Sequence, residues 1–299
     1  MDDIISIVLA CDNNYAPHAL VVASSIIAHT QSKIWFHILC DSIDGITRDR
    51  MRASIKRKNI DVSFYDTDSS AMSDIYISDH ISKAAYLRLM IGDILPDDIN
   101  KVIYLDVDLV VCKDIKELWQ VDMHDHVLAA VPDYGILSSK KSLVEKHKSF
   151  GWKRDNGYFN SGVLVINLVK WREQGYGANV LNASQTHDFR HHDQDALNMV
   201  VDGNWERLDL SWNVIPPVYE LKPAILMCTQ LRKNAIKANK NIGILHWAGR
   251  KKPWQYQLYE PFNGEYYKFE KRIRGTLRYP LRKKLILFIR KVLLDSFFE

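Results

Sequence analysis

The sequence predicts an α/β fold, a mostly parallel sheet flanked by helices. Two observations carry this. The chain contains short, continuous apolar runs of the kind that strands buried on both faces require, and these alternate with segments of helical apolar spacing. A chain of 299 residues is long enough for one large domain plus an appendage.

The first apolar run, residues 4–10, is stopped by Asp12, Asn13 and Asn14. A helix is expected over 17–29, with Pro17 in the first turn, where its missing N–H leaves no bond unmade. Residues 35–40 read as a second strand, 46–58 as a second helix and 61–65 as a third strand. Residues 83–95 follow as a helix, closed by Pro96. Residues 101–111 form the most apolar strand, interrupted by Asp106 and Asp108. Further strands are expected at 127–131, 162–168 and 242–247, and a helix at 193–201. Beyond Trp254 the character changes: Tyr and Phe become frequent, then Lys and Arg alternate with Leu, Ile and Phe. That shift divides the chain into a body, residues 1–260, and a small basic helical appendage, residues 261–299.

With 47% hydrophobic and 25% charged residues, the chain is globular rather than disordered over most of its length. The net charge of +4 is mild but concentrated between 268 and 291, which favours an anionic surface such as a membrane. Leu281, Leu285, Phe288 and Val292 share one helical face there, as a peripheral lipid-binding helix would require. A terminal helix packed on the body is the plain alternative. The tail has no nucleic-acid motif and the body has no basic stripe, so no nucleic-acid partner is expected. Cys11, Cys40, Cys112 and Cys228 show no CxxC spacing, and buried reduced thiols are expected rather than zinc or disulfides. The acidic start Met1-Asp2-Asp3 lacks the positive region of a signal peptide, and no apolar run reaches the roughly 20 residues that span a bilayer. The expected location is cytoplasmic, peripheral at the inner face of the plasma membrane.

The chemistry begins at Asp106 and Asp108. Carboxylates at i and i+2 of an extended chain point to one side. A buried pair of that kind calls for a cation, and hard divalent ions bridge carboxylates to substrate phosphates. A solvated strand end is the plain alternative. His246 ends another apolar run and can add a nitrogen ligand, a donor that suits Mn²⁺ better than Ca²⁺. Gly249 then permits close backbone approach to a ligand, and Lys252 can neutralise a phosphate. Asn160 and Ser161, ahead of Gly162, can hydrogen-bond sugar hydroxyls or form a plain turn. Asp193, in His192-Asp193-Gln194-Asp195, can bind a hydroxyl or cap the helix that follows. Ala10, Cys11, Asp12, Asn13, Asn14 and Tyr15 follow the first strand, where open α/β sheets bind ligands; an acid there can read a base edge, and Tyr15 can stack on the ring.

Four motifs, in this order, resemble glycosyltransferase family 8, the group that includes bacterial lipopolysaccharide galactosyl- and glucosyltransferases. They are Tyr104-Leu105-Asp106-Val107-Asp108, Phe159-Asn160-Ser161-Gly162-Val163-Leu164, Asp193-Gln194-Asp195, and the His-x-x-Gly-x-x-Lys-Pro-Trp run from His246 to Trp254. The resemblance covers about residues 4–255. It implies a GT-A fold, which is Rossmann-like, and retaining transfer of galactose or glucose from a UDP-sugar to a glycan acceptor, with Mn²⁺, or Mg²⁺ in its place, as cofactor. Carried over by motif, Asp106, Asp108 and His246 would hold the metal. Ala10, Cys11, Asp12, Asn14, Tyr15, Arg88 and Val107 would belong to the donor site with them. Asn160, Ser161, Asp193 and Gln194 would line the sugar, and Gly249 and Lys252 the diphosphate. The resemblance puts Gln194 near the anomeric carbon, where an amide is a poor nucleophile. A front-side mechanism, commonly favoured for families like this one, and an enzyme nucleophile, for which Asp195 is the other candidate, both stay open at this point. The departures, Cys11 for Ala and Trp247 for Tyr, spare the metal ligands. A lipid-linked acceptor is expected, a protein acceptor is the runner-up, and a non-catalytic sugar-binding module is disfavoured by the complete Asp106, Asp108 and His246 set.

Overall fold

The computed structural model describes residues 4–67, 87–152, 156–220, 229–255 and 262–273. The body opens with β1 (Ile5–Asp12), α1 (Ala16–His29), β2 (Ile34–Asp41), α2 (Gly45–Ile55) and β3 (Ile60–Asp66). These follow the expected alternation to within a few residues. Pro17 occupies the first turn of α1, and the Asp44 side chain caps α2 by accepting the Thr47 N–H.

The central sheet continues with β4 (Lys101–Leu105), β6 (Leu128–Pro132), β7 (Phe159–Asn167) and β8 (Trp205–Arg207). Its order is β3-β2-β1-β4-β7-β6-β8. Strands β3, β2, β1 and β4 run parallel, β7 runs antiparallel to both β4 and β6, and β8 is parallel to β6. The sheet is therefore mixed and mostly parallel. Period-two alternation divides its side chains between two cores. Ile5, Ile7, Leu9 and Cys11 pack with α1, α2 and α7 (Asn263–Ile273) on one face. Val8 and Ala10 pack with α4 (Tyr176–Thr186) and α5 (His192–Val201) on the other. The remaining long helices are α3 (Lys140–Phe150) and α6 (Thr229–Lys240).

Two expectations need correction. The apolar stretch 101–111 is not one strand. The chain leaves the sheet after Leu105, turns through 106–108, and re-enters as β5 (Leu109–Val111), which pairs antiparallel with β9 (Ile244–His246) in a separate two-stranded sheet. Asp106 and Asp108 thus sit on a bend rather than along an extended strand. The expected helix over 83–95 is, within the described residues, a 3-10 turn Arg88–Met90 leading into a single turn Ile91–Ile94.

Helix α7, at the start of the appendage, buries Tyr266 and Phe269 in the α1-side core. The basic stretch carrying Leu281, Leu285, Phe288 and Val292 lies outside the described residues, as do Cys228 and residues 83–86. Cys11 and Cys40 are buried and Cys112 half-buried, all as free thiols. Among the described residues no helix is long and apolar enough to cross a membrane.

Candidate active site: an Asp-Asp-His cluster at the sheet's carboxyl edge

A cleft of about 1320 Å³ opens where β1 and β4 end and β7 begins. That is larger than the 300–1,000 Å³ typical of a small-ligand pocket.

Strand register brings the acidic pair to His246. Leu105 pairs with Val163, so the next residue meets Gly162, and the Asp106 N–H donates to the Gly162 carbonyl at 2.9 Å. Leu109 pairs with His246, which leaves Asp108 beside the imidazole; the Trp247 N–H donates to the Asp108 carbonyl at 3.0 Å. One ligand atom from each of Asp106, Asp108 and His246 lies within 4.8 Å of the others. His246 Nε2 is 3.1 Å from Asp108 Oδ1 and 3.8 Å from Asp106 Oδ2.

The orientation of His246 is set at its other nitrogen. Nδ1 is 2.8 Å from Asn213 Oδ1. Asn213 Nδ2 in turn donates to Asn160 Oδ1 at 2.8 Å, which fixes the amide's orientation. Nδ1 must therefore carry a proton, which turns Nε2 toward the carboxylates and leaves it as the nitrogen that a divalent ion would take. An imidazole held this way, with two carboxylates, fits a divalent ion of the Mn²⁺ or Mg²⁺ kind. The fit is tight at Gly162: a Cβ there would stand 2.4 Å from His246 Cε1 and 2.7 Å from Asp106 Oδ2.

Charge is balanced around the cluster. Lys252 forms an ion pair with Asp108, and its Nζ also donates to the Trp247 carbonyl at 2.9 Å. Burial raises the Asp108 pKa, but Lys252 and then His246 outweigh it and hold the carboxyl well below the usual range. Arg88, only 6% exposed, places Nη2 3.0 Å from Asp106 Oδ1 and donates from Nη1 to the Ser161 carbonyl at 2.7 Å. Its Nε lies 3.1 Å from Asp193 Oδ2, a charge contact without hydrogen-bond alignment. Burial raises the Asp193 carboxyl's pKa above its ordinary value despite Arg88. Asp193 lies within the first turn of α5 and does not cap it; His191 is the cap residue.

A profile of glycosyl transferase family 8 matches residues 6–257. The chain belongs to glycosyl transferase family 8. General stress protein A of Bacillus subtilis is 30% identical over 277 residues, covering 90% of this chain and 93% of that protein. The lipopolysaccharide 1,3-galactosyltransferase of Salmonella typhimurium is 25% identical, over 78% of this chain and 67% of its own length. The crystal structure of galactosyltransferase LgtC in complex with donor and acceptor sugar analogs superposes with a TM-score of 0.78 at 27% identity, covering 94% of this chain and 99% of that one. The GT-A fold expected from the sequence is thus the fold found. Glycosyltransferases of this fold use a nucleotide-sugar donor and a divalent metal, and the Asp106, Asp108 and His246 set is the place in this family 8 chain where the described donor atoms for one converge.

The cleft also gathers Ala10, Tyr15, Val107, Asn160, Ser161, Gln194 and Gly249. The Gln194 side chain bridges several of them: Oε1 accepts from Asn160 Nδ2 and the Ser161 N–H, each at 3.1 Å, and Nε2 donates to Asp133 Oδ2 at 3.1 Å. Tyr15 meets Trp254 edge-on, with ring centroids 5.9 Å apart. Gly249 has φ +105, a conformation open to glycine, and a Cβ there would meet nothing within 4 Å, so its backbone rather than its size is what the position uses.

Four expected site residues do not line the cleft. Cys11 alternates away from Ala10 and is fully buried in the α1-side core. Asp12 spends its carboxylate on the Tyr15 N–H, at 2.8 Å, closing the turn into α1. Asn14 is exposed beyond that turn. Asp195 lies behind the wall, paired with Lys146. Two residues that the sequence reading did not single out join the site. Asp133 follows β6 at a strand's carboxyl end, where an acid is itself a signal, and anchors Gln194. Asn213 orients His246 from a 3-10 turn with no local pattern to mark it.

Proposed function

We propose that this family 8 chain transfers a hexose from a UDP-sugar, galactose or glucose, to a glycan acceptor with retention of configuration, using Mn²⁺ or Mg²⁺. The observation that carries this reading is the Asp106, Asp108 and His246 cluster, with the His246 tautomer set by Asn213 and a lysine at its edge.

A divalent ion bound there would neutralise charge that builds on the departing diphosphate. Lys252 adds a positive charge at the same edge. Arg88 is committed to Asp106, Asp193 and the Ser161 carbonyl, so its role is to hold the sugar-side acids in place. Little in the cleft is left to attack the anomeric carbon. Asp195 is sequestered with Lys146, Asp193 faces Arg88, Asp133 has both oxygens taken by Ile136, Asn160 and Gln194, and Gln194 offers an amide. A double displacement needs a carboxylate within reach of the anomeric carbon. A front-side reaction, in which the leaving phosphate takes the acceptor's proton, fits this arrangement better. A lipid-linked acceptor, reached by the basic tail on anionic lipid, completes the proposal.

A panel of UDP-sugars, assayed for UDP release with Mn²⁺, Mg²⁺ or EDTA, tests the reading. One UDP-hexose should be turned over only with metal, and proton NMR should show an α-linked or α-configured product. Failure of every UDP-sugar to release UDP with any divalent ion would sink it.

A further inference from the structure

Behind the cleft wall lies a buried ion pair that the chemistry above leaves unused. Lys146, from α3, places Nζ 2.6 Å from Oδ1 of Asp195, in the first turn of α5, and the two side chains are 7% and 1% exposed. The Tyr158 hydroxyl, also buried, donates to the same Oδ1 at 2.5 Å. The His191 N–H donates to Oδ2 at 2.8 Å. Both carboxylate oxygens are thus engaged, which suits an anchor and not an attacking group. The ammonium also lies 5.5 Å from the Tyr158 ring centroid.

We propose that Lys146, Asp195 and Tyr158 form a relay that fixes the direction of the Gln194 amide in the cleft, with Lys146 and Tyr158 as positioning residues for transfer. The inference rests on the reading that Gln194 faces the donor sugar. An ionised carboxylate only accepts, so the Tyr158 proton must point at Asp195. The hydroxyl then has only lone pairs left for Gln194, whose Nε2 donates to it at 3.1 Å. Asp133 selects the same end of the amide, while the Ser161 N–H holds Oε1 at the other. Burial alone would push the Asp195 carboxyl up, but His191, Lys146 and Tyr158 together outweigh it and keep it charged, below the usual range. Loss of the Lys146 cation would weaken that hold and free the Tyr158 hydroxyl to turn, leaving Asp133, Asn160 and the Ser161 N–H alone to hold the amide. The relay also ties down His191, next to His192 at φ +44, so one buried charge sets the wall from 191 to 194.

Tyr158→Phe tests this with the least disturbance, since the ring and the ion pair stay. The double variant Lys146→Met/Asp195→Leu removes the charges together, leaving no unpaired buried ion. Turnover of the accepted UDP-sugar, UDP–Mn²⁺ binding, and the Gln194 side-chain amide signal are measured on full-length chain carrying ¹⁵N-glutamine. That signal is identified by its loss in Gln194→Ala. For Tyr158→Phe, kcat should fall about tenfold, as expected for a misaligned group. KM and UDP–Mn²⁺ affinity should stay within about twofold, and the Gln194 NH₂ signals should shift and exchange faster. Unchanged kcat with unchanged Gln194 signals would overturn the relay, as would a kcat loss matched by an equal loss of UDP binding. Should the wild type turn over no UDP-sugar, the functional reading fails alone, because the amide signal reads the relay without substrate.

Discussion

Gly162 carries no side chain because two proposed metal ligands occupy the space where one would stand, with His246 Cε1 2.4 Å and Asp106 Oδ2 2.7 Å from an added Cβ. Neither neighbour can retreat freely. Asn213 holds the imidazole, and Tyr104, whose hydroxyl donates to Asp106 at 2.8 Å, holds the carboxylate together with Arg88. Gly162→Ala should therefore push the ligand set apart and weaken Mn²⁺ binding by about 10–100-fold, the range seen when groups supporting a metal ligand are lost. Titration calorimetry with Mn²⁺ in the presence of UDP reads this directly; wild-type affinity in the alanine variant would mean the ion sits elsewhere. At this scale the sequence was an uneven guide. Asp106, Asp108 and His246 were legible because acids and an imidazole ending apolar runs stand out against a hydrophobic background. Asn213 and Tyr158 were not, because their work depends on partners 33 and 36 residues away.

The elements that frame the site carry their own predictions. His37 lies on β2, fully buried, with Nδ1 3.0 Å from the Tyr65 hydroxyl. Burial pushes its pKa down from 6.5 to about 4. The fold holds the neutral ring, so its contribution is complete above the unfolded value and drains as pH falls through this window. The loss by pH 4 is on the order of 3 kcal/mol. Urea unfolding at pH 7 and pH 4.5 should show this loss in the wild type and a smaller one in His37→Phe; equal losses in both would clear His37. Helix α7 bears on where the chain can be cut. Tyr266 and Phe269 are buried against α1, and His18 Nδ1 lies 2.6 Å from the Tyr266 hydroxyl. A truncation at 265 would confuse lipid binding with core damage of about 3–5 kcal/mol for the Phe alone. Truncation after Ile273 should keep the thermal midpoint and lose binding to vesicles of anionic lipid; retained binding would remove the tail from the acceptor proposal. Strands β1, β2 and β4 were legible because each is a nearly continuous apolar run; β8, Trp205-Glu206-Arg207, was not, because two of its three residues are charged. The break between β4 and β5 was not, since both halves are equally apolar and only β9, more than 130 residues on, recruits the second.

Across the whole molecule, the cleft is assembled from segments that meet only after folding: the end of β1, the bend at 106–108, the start of β7, the first turn of α5 and the loop after β9. Their order along the chain was enough to identify the family, because each motif keeps its own local signature. Their geometry was not, because the antiparallel insertion of β7 between β4 and β6 is what turns Asn160 and Ser161 toward the acids. The proposed chemistry requires that Asp106, Asp108 and His246 hold a divalent ion against the leaving UDP. Replacing Asp108 by Asn keeps the shape and removes the charge. The most direct measurement is UDP release from the accepted UDP-hexose as a function of Mn²⁺, in wild type and Asp108→Asn, with the thermal midpoint as the check on folding. The prediction is saturable, Mn²⁺-dependent release in the wild type and its loss in a folded Asp108→Asn. Undiminished release by the variant, or wild-type release indifferent to EDTA, would contradict it.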